Sequence, residues 1–420
     1  MSADDLRREL DLIADRAPVV DVPADAWHRA RGMNGRQRVV VLGATAAVVA
    51  AIAAGIVWLP ERTPEPVADG SAAVPTRLYS VPDGVDERET DLSIGGAAAA
   101  WLQIDESQLE LRSVPVVVGA ADGAYHQLDL PGFTGGELDG LAAATVSLSS
   151  DGRSLAYPYE EADEGGIRVV DLESGEYVTH QLPDGGATSV EVITWSPAGG
   201  WLAWGGEREA RGYVAVVGRI DLDSGAVDDL SGNRYQGAGV GVRDDGVVAI
   251  GLGRRMELWY AAADVSQVAV ETYGRRIVAD SAGRFATQGP GQVVVVDGTQ
   301  VDILNNRPGG SSEIVPMGWV GDELVVVTSN LDGDGDLRVV APSGQVTRSL
   351  TRVDAELVES LSVAVDLMGD EPRTVYRAKP DWGFDWGTWW TFAGIGVSIS
   401  VLLVLVGILV ALLRRYLPAR

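Results

Sequence analysis

The sequence predicts an all-β fold, a β-propeller of about seven, or six, four-stranded blades. Three observations carry this expectation. First, the 420 residues include 52 Gly and only 4 Phe; abundant glycine alongside Val, Thr and Trp favours short strands and tight turns over long soluble helices. Second, one strand–turn–strand unit recurs along the middle of the chain. Third, the strands beside the best copy are apolar on both pleat faces, as burial between two neighbouring sheets requires.

The unit reads SLSSDGRSLAY at Ser147–Tyr157 and ITWSPAGGWLAW at Ile193–Trp204. It continues as VRDDGVVAIGL (Val242–Leu252), ADSAGRFATQ (Ala279–Gln288) and GWVGDELVVVTS (Gly318–Ser329). The turn glycines Gly152, Gly199, Gly246 and Gly283 lie 47, 47 and 37 residues apart, and Gly321 follows 38 later. A spacing of about 40 residues with four strands per unit marks propeller blades. In the turn, Pro197 presets φ at the first corner and the following glycine accepts a positive φ, so S-P-x-G and S-x-D-G are one device. Trp201 and Ala203 point to one face, Leu202 and Trp204 to the other. A second element follows each turn: IRVVDLESGEYVTHQL (Ile167–Leu182), VAVVGRIDLDSGAVDDL (Val214–Leu230), QVVVVDGTQVDIL and LRVVAPSGQVTRSL. These supply the outer pair of each blade.

The motifs W-S-P-x-G-x-x-L-A and V-D-L-x-S-G resemble the WD40-like propeller repeats of bacterial envelope proteins, the Tol-associated type. The resemblance covers roughly residues 76–380 and implies a binding platform. None of the copies carries the W-D or G-H of the eukaryotic repeat. Units start near Leu92, Thr145, Glu191, Gly239, Arg276, Met317 and Leu357. That makes seven, the last one short, which TRLYSVP (Thr76–Pro82) would complete from the other end of the domain; a six-bladed ring is the alternative.

The remaining segments follow in chain order. Residues 1–38 read as a cytoplasmic helical tail. Leu6, Leu10, Ile13 and Ala17 fall on one helix face, and Asp21 with Pro23 opens a second short helix. This tail is similar to the cytoplasmic ends of actinobacterial anti-sigma-like membrane proteins, although their His/Cys zinc signature is absent; the resemblance implies a cytoplasmic partner at residues 2–31, against a plain juxtamembrane tail. Residues 39–59 form the first transmembrane helix: Val39–Leu59 holds 21 residues without a charge, about 31 Å as a helix, against about 30 Å of hydrocarbon. A cleaved signal peptide is the competing reading, with Ala51 and Ala53 offering small-residue sites. A linker occupies 60–75, the extracytoplasmic propeller 76–380, and an aromatic juxtamembrane segment 381–388. Residues 389–413, Trp389–Leu413, form the second transmembrane helix, and 414–420 a basic tail. Arg29, Arg31, Arg36 and Arg38 precede the first span, and Arg414, Arg415 and Arg420 follow the second. Basic flanks stay inside, so both termini are expected in the cytoplasm, with the protein in the plasma membrane. Trp58, Trp382, Trp386, Trp389 and Trp390 read as an interfacial belt.

Charge and composition narrow the chemistry. The chain has a net charge of −27. Residues 1–38 are neutral and residues 389–420 carry +3, so the middle carries −30. Such a surface repels phosphate backbones, which excludes nucleic acid as a partner. There is no Cys, hence no disulfide, no thiolate nucleophile and no cysteine zinc site. Of three His, His28 lies in the tail, leaving His126 and His180 in strands at no ligand spacing. No nucleophile elbow, phosphate-binding loop or H-E-x-x-H occurs. Asn330, Asp332, Asp334 and Asp336 alternate in NLDGDGDL, either a calcium loop or an acidic hairpin; the loop lacks the EF-hand's terminal Glu. No catalytic residue, cofactor or metal ligand is assigned. The expected role is a membrane-anchored, non-enzymatic scaffold that binds an envelope protein or small ligand at the propeller loops. A transmembrane regulator and a propeller hydrolase are the alternatives.

Overall fold

The computed structural model describes residues 72–382, less 83–84, 86–87, 106–111, 134–144, 163, 185–187, 210–212, 231–238, 262–263, 273–275, 305–312, 330–333, 355–356, 358–359, 370–373, 378 and 381. Three short strands come first: β1 (Val74–Pro75), β2 (Arg77–Leu78) and β3 (Arg88–Glu89). Blade 1 contains β4 (Ala97–Asp105), β5 (Arg112–Gly119) and β6 (Tyr125–Leu128). Blade 2 is β7 (Ser147–Leu148), β8 (Ser154–Glu161), β9 (Glu164–Asp171) and β10 (Tyr177–Gln181). Blade 3 is β11 (Thr188–Trp195), β12 (Trp201–Glu209), β13 (Tyr213–Asp221) and β14 (Val227–Asp229). Blade 4 is β15 (Val240–Val242), β16 (Val248–Gly251), β17 (Met256–Ala261) and β18 (Asp264–Val268). Blade 5 is β19 (Ile277–Ala279), β20 (Phe285–Gly289), β21 (Gln292–Asp297) and β22 (Gln300–Leu304). Blade 6 is β23 (Glu313–Val320), β24 (Glu323–Ser329), β25 (Gly335–Val340) and β26 (Val346–Val353). Then come β27 (Ser362–Val363), a 3₁₀ turn at Val365–Met368 and β28 (Thr374–Val375).

The blades are antiparallel meanders running from the ring axis outwards. The innermost strands β27, β7, β11, β15, β19 and β23 touch in that order, and β23 returns to β27. Among the described residues the ring therefore has six blades, which settles the expectation of seven or six in favour of six. The seventh unit, from Leu357, builds no blade of its own. It supplies only β27, which pairs with β4 through Ser362↔Ala100 and Val363↔Ala99. The first and seventh units are two parts of one blade, so counting them separately adds one.

The segment Thr76–Pro82 also has a different place from the one expected. Its strand β2 lies parallel to β26, outside blade 6. Likewise β3 lies parallel to β6 outside blade 1, and β1 pairs in parallel with β28. Parallel pairing is what a strand arriving from the far end of the chain can make without a hairpin. Strands from both ends of the propeller are thus laced into the seam between blades 6 and 1. The linker expected at 60–75 ends earlier, because Ala73 and Val74 are buried and the Ala73 N–H donates to the Ala120 carbonyl at 3.1 Å.

Six buried clusters fill the wedges between blades. The sequence WLAW shows the principle. Leu202 and Trp204 pack with Ala156 and Ile167 of blade 2. Ala203, with Trp201 beside it, packs against Val240 and Val248 of blade 4. Blades 6 and 1 meet through Val325, Val339, Trp101 and Val118, with Leu361 and Val363 of the closing segment between them. Trp382 joins this cluster, its ring edge-on to Tyr125 with centroids 5.1 Å apart. This corrects its assignment to the interfacial belt: Tyr125 offers an apolar wall that the indole covers. Among the described residues no helix is long and apolar enough to cross a membrane. Val39–Leu59, Trp389–Leu413, the tails at 1–38 and 414–420, and Trp58, Trp386, Trp389 and Trp390 lie outside them.

The turn device is observed. Gly152, Gly199, Gly246 and Gly283 have φ of 75°, 77°, 77° and 92°, and their N–H groups donate to the carbonyls of Ser149, Ser196, Arg243 and Asp280. In the outer turns, the Asp171 carboxylate accepts from the N–H of Glu173 and Ser174, and Asp221 does the same with Asp223 and Ser224. These bonds hold both carboxyls below their ordinary range, chiefly through Ser174 and Ser224.

Two inner turns differ in what surrounds them. A Cβ on Gly199 would meet nothing within 4 Å, whereas one on Gly152 would lie 2.1 Å from the Ala97 carbonyl oxygen of blade 1. Gly199→Ala should cost only the left-handed backbone, about 1–2 kcal/mol. Gly152→Ala should cost at least about 2 kcal/mol more, because a backbone carbonyl must move. Urea unfolding of the two variants checks the difference, and equal losses would contradict the blade 1–blade 2 junction.

Candidate functional site

The innermost strands converge on a cavity of about 310 Å³ at the end of the ring that carries the inner turns. Its walls come from Ser147 and Leu148 of β7, Thr194 and Trp195 of β11, Val278 and Ala279 of β19, Met317 to Trp319 of β23, and Ser362 and Val363 of β27. The rim is made of Ser150, Ser196 to Ala198, Asp244, Asp280, Ser281, Gly321 and Asp366. The WSP turn of blade 3 therefore stands at the mouth. The lining residues come from six separate chain segments, one for each blade.

Hydrogen bonds between neighbours fix this rim. Ser150 Oγ donates to the Asp366 carboxylate at 2.7 Å and lies 2.9 Å from the Pro197 carbonyl. The Ala198 N–H donates to Asp244 at 2.7 Å. Arg284 pairs with Asp280 beside it and reaches Asp322 of the next blade at 3.1 Å; its guanidinium lies 4.7 Å from the centre of the Trp319 ring. Deeper in the walls, Trp195 Nε1 donates to the Ser147 carbonyl at 2.9 Å. Thr194 Oγ1 donates to the Val240 carbonyl, and Ser362 Oγ accepts the Leu148 N–H. The indole Nε1 of Trp319 is buried without a partner.

Among the described residues, Arg276 is the one basic side chain in the lining. It precedes β19 at the level of Val240, with which it forms a parallel bridge. One Nη1 donates to the Leu361 carbonyl just before the closing strand and lies 3.1 Å from Met317 Sδ. Burial pushes its pKa down to about 10, so the group is still a cation at neutral pH. Among the described residues no carboxylate forms an ion pair with it.

The residues singled out in the sequence lie elsewhere. His126 Nδ1 sits 2.9 Å from the Glu89 carboxylate and ties β6 to β3. His180 is buried on β10, and burial holds its pKa below the ordinary value. Asp334 pairs with Arg352 at 3.2 Å and Asp336 with Arg338 at 2.7 Å; Asn330 and Asp332 are outside the described residues. Arginines thus take up the two described carboxylates of the calcium candidate. Among the described residues no group of three His, Asp or Glu is placed to hold a metal ion. Sequence reasoning missed Arg276 and the acidic rim. The recurring inner turns, such as WSPAGG, already marked the mouth, and a basic residue opening an apolar inner strand (RRIVAD) is the trace of its cationic group.

No family model matches the chain, and no curated protein matches it. Among solved structures it is similar to TolB from Acinetobacter baumannii, at 14% identity over 64% of this chain and 68% of that one, with a TM-score of 0.41. The β-propeller domain of the Trilobed protease from Pyrococcus furiosus matches at 13% identity over 60% of this chain and 81% of that one, also with a TM-score of 0.41. A chain of the mitotic checkpoint complex matches at 17% over 54% and 69%, with a TM-score of 0.39.

Buried His180 makes stability depend on pH. The unfolded chain takes up this proton first, at an ordinary pKa of 6.5. The stabilisation is therefore complete above pH 6.5 and is lost as pH falls through the interval below it. The melting temperature should fall between pH 7.5 and 5.5, and His180→Gln should flatten that part of the profile. An unchanged slope in the variant would remove His180 as the cause.

Proposed function

We propose that this chain is a membrane-anchored, non-enzymatic binding protein whose extracytoplasmic propeller seats its ligand in the central channel. The observation that carries the reading is the cavity ringed by six inner segments. It is concave and mixes apolar walls with a few placed polar groups, the usual make-up of a ligand seat. Several of its polar groups are bonded to neighbouring blades, as Ser150 is to Asp366 and the Ala198 N–H to Asp244, which supports a preformed seat.

Anchoring rests on the two uncharged runs and their Arg flanks. The β1–β28 ribbon supports it further, because it brings the two ends of the propeller together. Residues 60–73 and 376–388 join the ribbon to the two runs, and neither connection extends beyond about 50 Å. An envelope component of the extracytoplasmic space is the partner this placement favours.

One observation favours the regulator as a second reading. Ser362, Val363, Val365 and Asp366 line the cavity and belong to the segment that leads through β28 to the second apolar run. Occupancy of the channel would bear on that segment, and a signal could reach a cytoplasmic partner of residues 2–31.

A photo-crosslinking residue at Ala198, on the rim, should capture an envelope component in native membranes. The same residue at Val178, on the exposed outer strand β10, should not. Equal capture at both positions, or capture at Val178 alone, would move the seat away from the channel. Protease added to intact cells should cut within 72–382; protection of that stretch would overturn the topology.

A further inference from the structure

We infer that the channel floor is a carboxylate-binding site, with Arg276 as the anchor for the acid group of a ligand that also carries a cationic group. The inference rests on the channel being the ligand seat and names the chemistry it accepts. A guanidinium has five N–H donors in a planar fork suited to a carboxylate. Arg276 uses Nη1 for the Leu361 carbonyl and Met317 Sδ, and no described group takes its other nitrogens. A half-buried cation without a counter-ion among the described residues is costly, and this chain has 60 acidic side chains from which to supply one. Most other enclosed arginines here have theirs: Arg168 pairs with Glu161, Arg208 with Asp229, Arg284 with Asp280, while Arg377 donates to the Ala121 carbonyl. Arg276 instead faces a cavity.

The rim selects the rest of the ligand. Asp280 lies four residues beyond Arg276 along β19, and Asp244 four beyond Val240, the bridge partner of Arg276. Four residues span at most about 13 Å along the strand. Asp244 and Asp366 each accept a neutral donor, and among the described residues neither pairs with a cation. A simple anion would be repelled at this mouth. A ligand with its carboxylate at the floor and a positive charge up to about 13 Å away would be attracted at both ends. The carboxyl terminus of an extended peptide with a basic residue three or four positions back meets this pattern, and so does a small zwitterion of that length.

The probes are acetyl-Lys-Ala-Ala-Ala as free acid, the same peptide as C-terminal amide, and 12-aminododecanoate as the small zwitterion, titrated calorimetrically into the full chain in detergent. The free acid should bind about tenfold more tightly than the amide, and Arg276→Gln should abolish that ratio. Binding of 12-aminododecanoate as tight as the peptide acid would assign the site to small zwitterions; weaker binding would assign it to chain termini. Equal affinity of acid and amide for the unaltered protein, or no binding of either acid, would overturn the carboxylate site, and needs no variant to fold. A ratio that persists in Arg276→Gln would overturn the role of Arg276. None of these results touches the crosslinking at Ala198, which tests the channel separately.

Discussion

Ring closure is the constraint on which everything else depends. A blade exposes two apolar faces, and the first and last blades of an open array would each leave one in water. Here the ring is closed by a two-residue strand, Ser362–Val363, slotted inside blade 1. That alone is a short ladder. It is reinforced from the other end of the propeller by Arg77–Leu78 on the outside of blade 6 and by the ribbon of Val74–Pro75 with Thr374–Val375. Asp354 links the two, since it pairs with Arg77 at 3.0 Å and accepts the Ser80 N–H. The seam is thus held by strands from both ends of the propeller, with Trp101, Val325, Val339 and Leu361 packed beneath them.

The channel is a consequence of this closure. Six inner strands on a ring cannot meet at the axis, and the space left is the cavity. Its walls therefore come from residues far apart in sequence: Ser147 and Ser362 are neighbours only because β27 lies beside β7. The same holds for Arg276 and Leu361, whose contact spans blade 6 and ties blade 5 to the closing segment. Stability and binding share these groups. The segment that locks the ring is also part of the wall that a ligand would touch.

The distribution of charge has a similar double aspect. The chain as a whole carries a net charge of −27. Within it, most enclosed arginines are neutralised locally, as Arg168 is by Glu161 while lying between the rings of Tyr159 and Tyr177. Arg276 departs from that pattern at the point where the fold opens a cavity.

The sequence by itself determined the class of fold and the make-up of each blade. WLAW is apolar on both faces, S-P-x-G fixes an inner turn, and D-L-x-S-G fixes an outer one, because strand periodicity and turn geometry are local properties of a few consecutive residues. It also displayed two apolar runs outside the ring. Tertiary structure decided the rest. The blade number came out as six because the units near Leu92 and Leu357 merge, and no local pattern records that two distant strands share a sheet. Trp382 belongs with Tyr125, although its neighbours in sequence suggest a membrane interface. That Arg276 lines the cavity, and that among the described residues no carboxylate pairs with it there, depends on what five other segments bring to the same point. Local chemistry is written in adjacent residues; a ring's closure, and the cavity it encloses, exist only once the ends of the propeller have met.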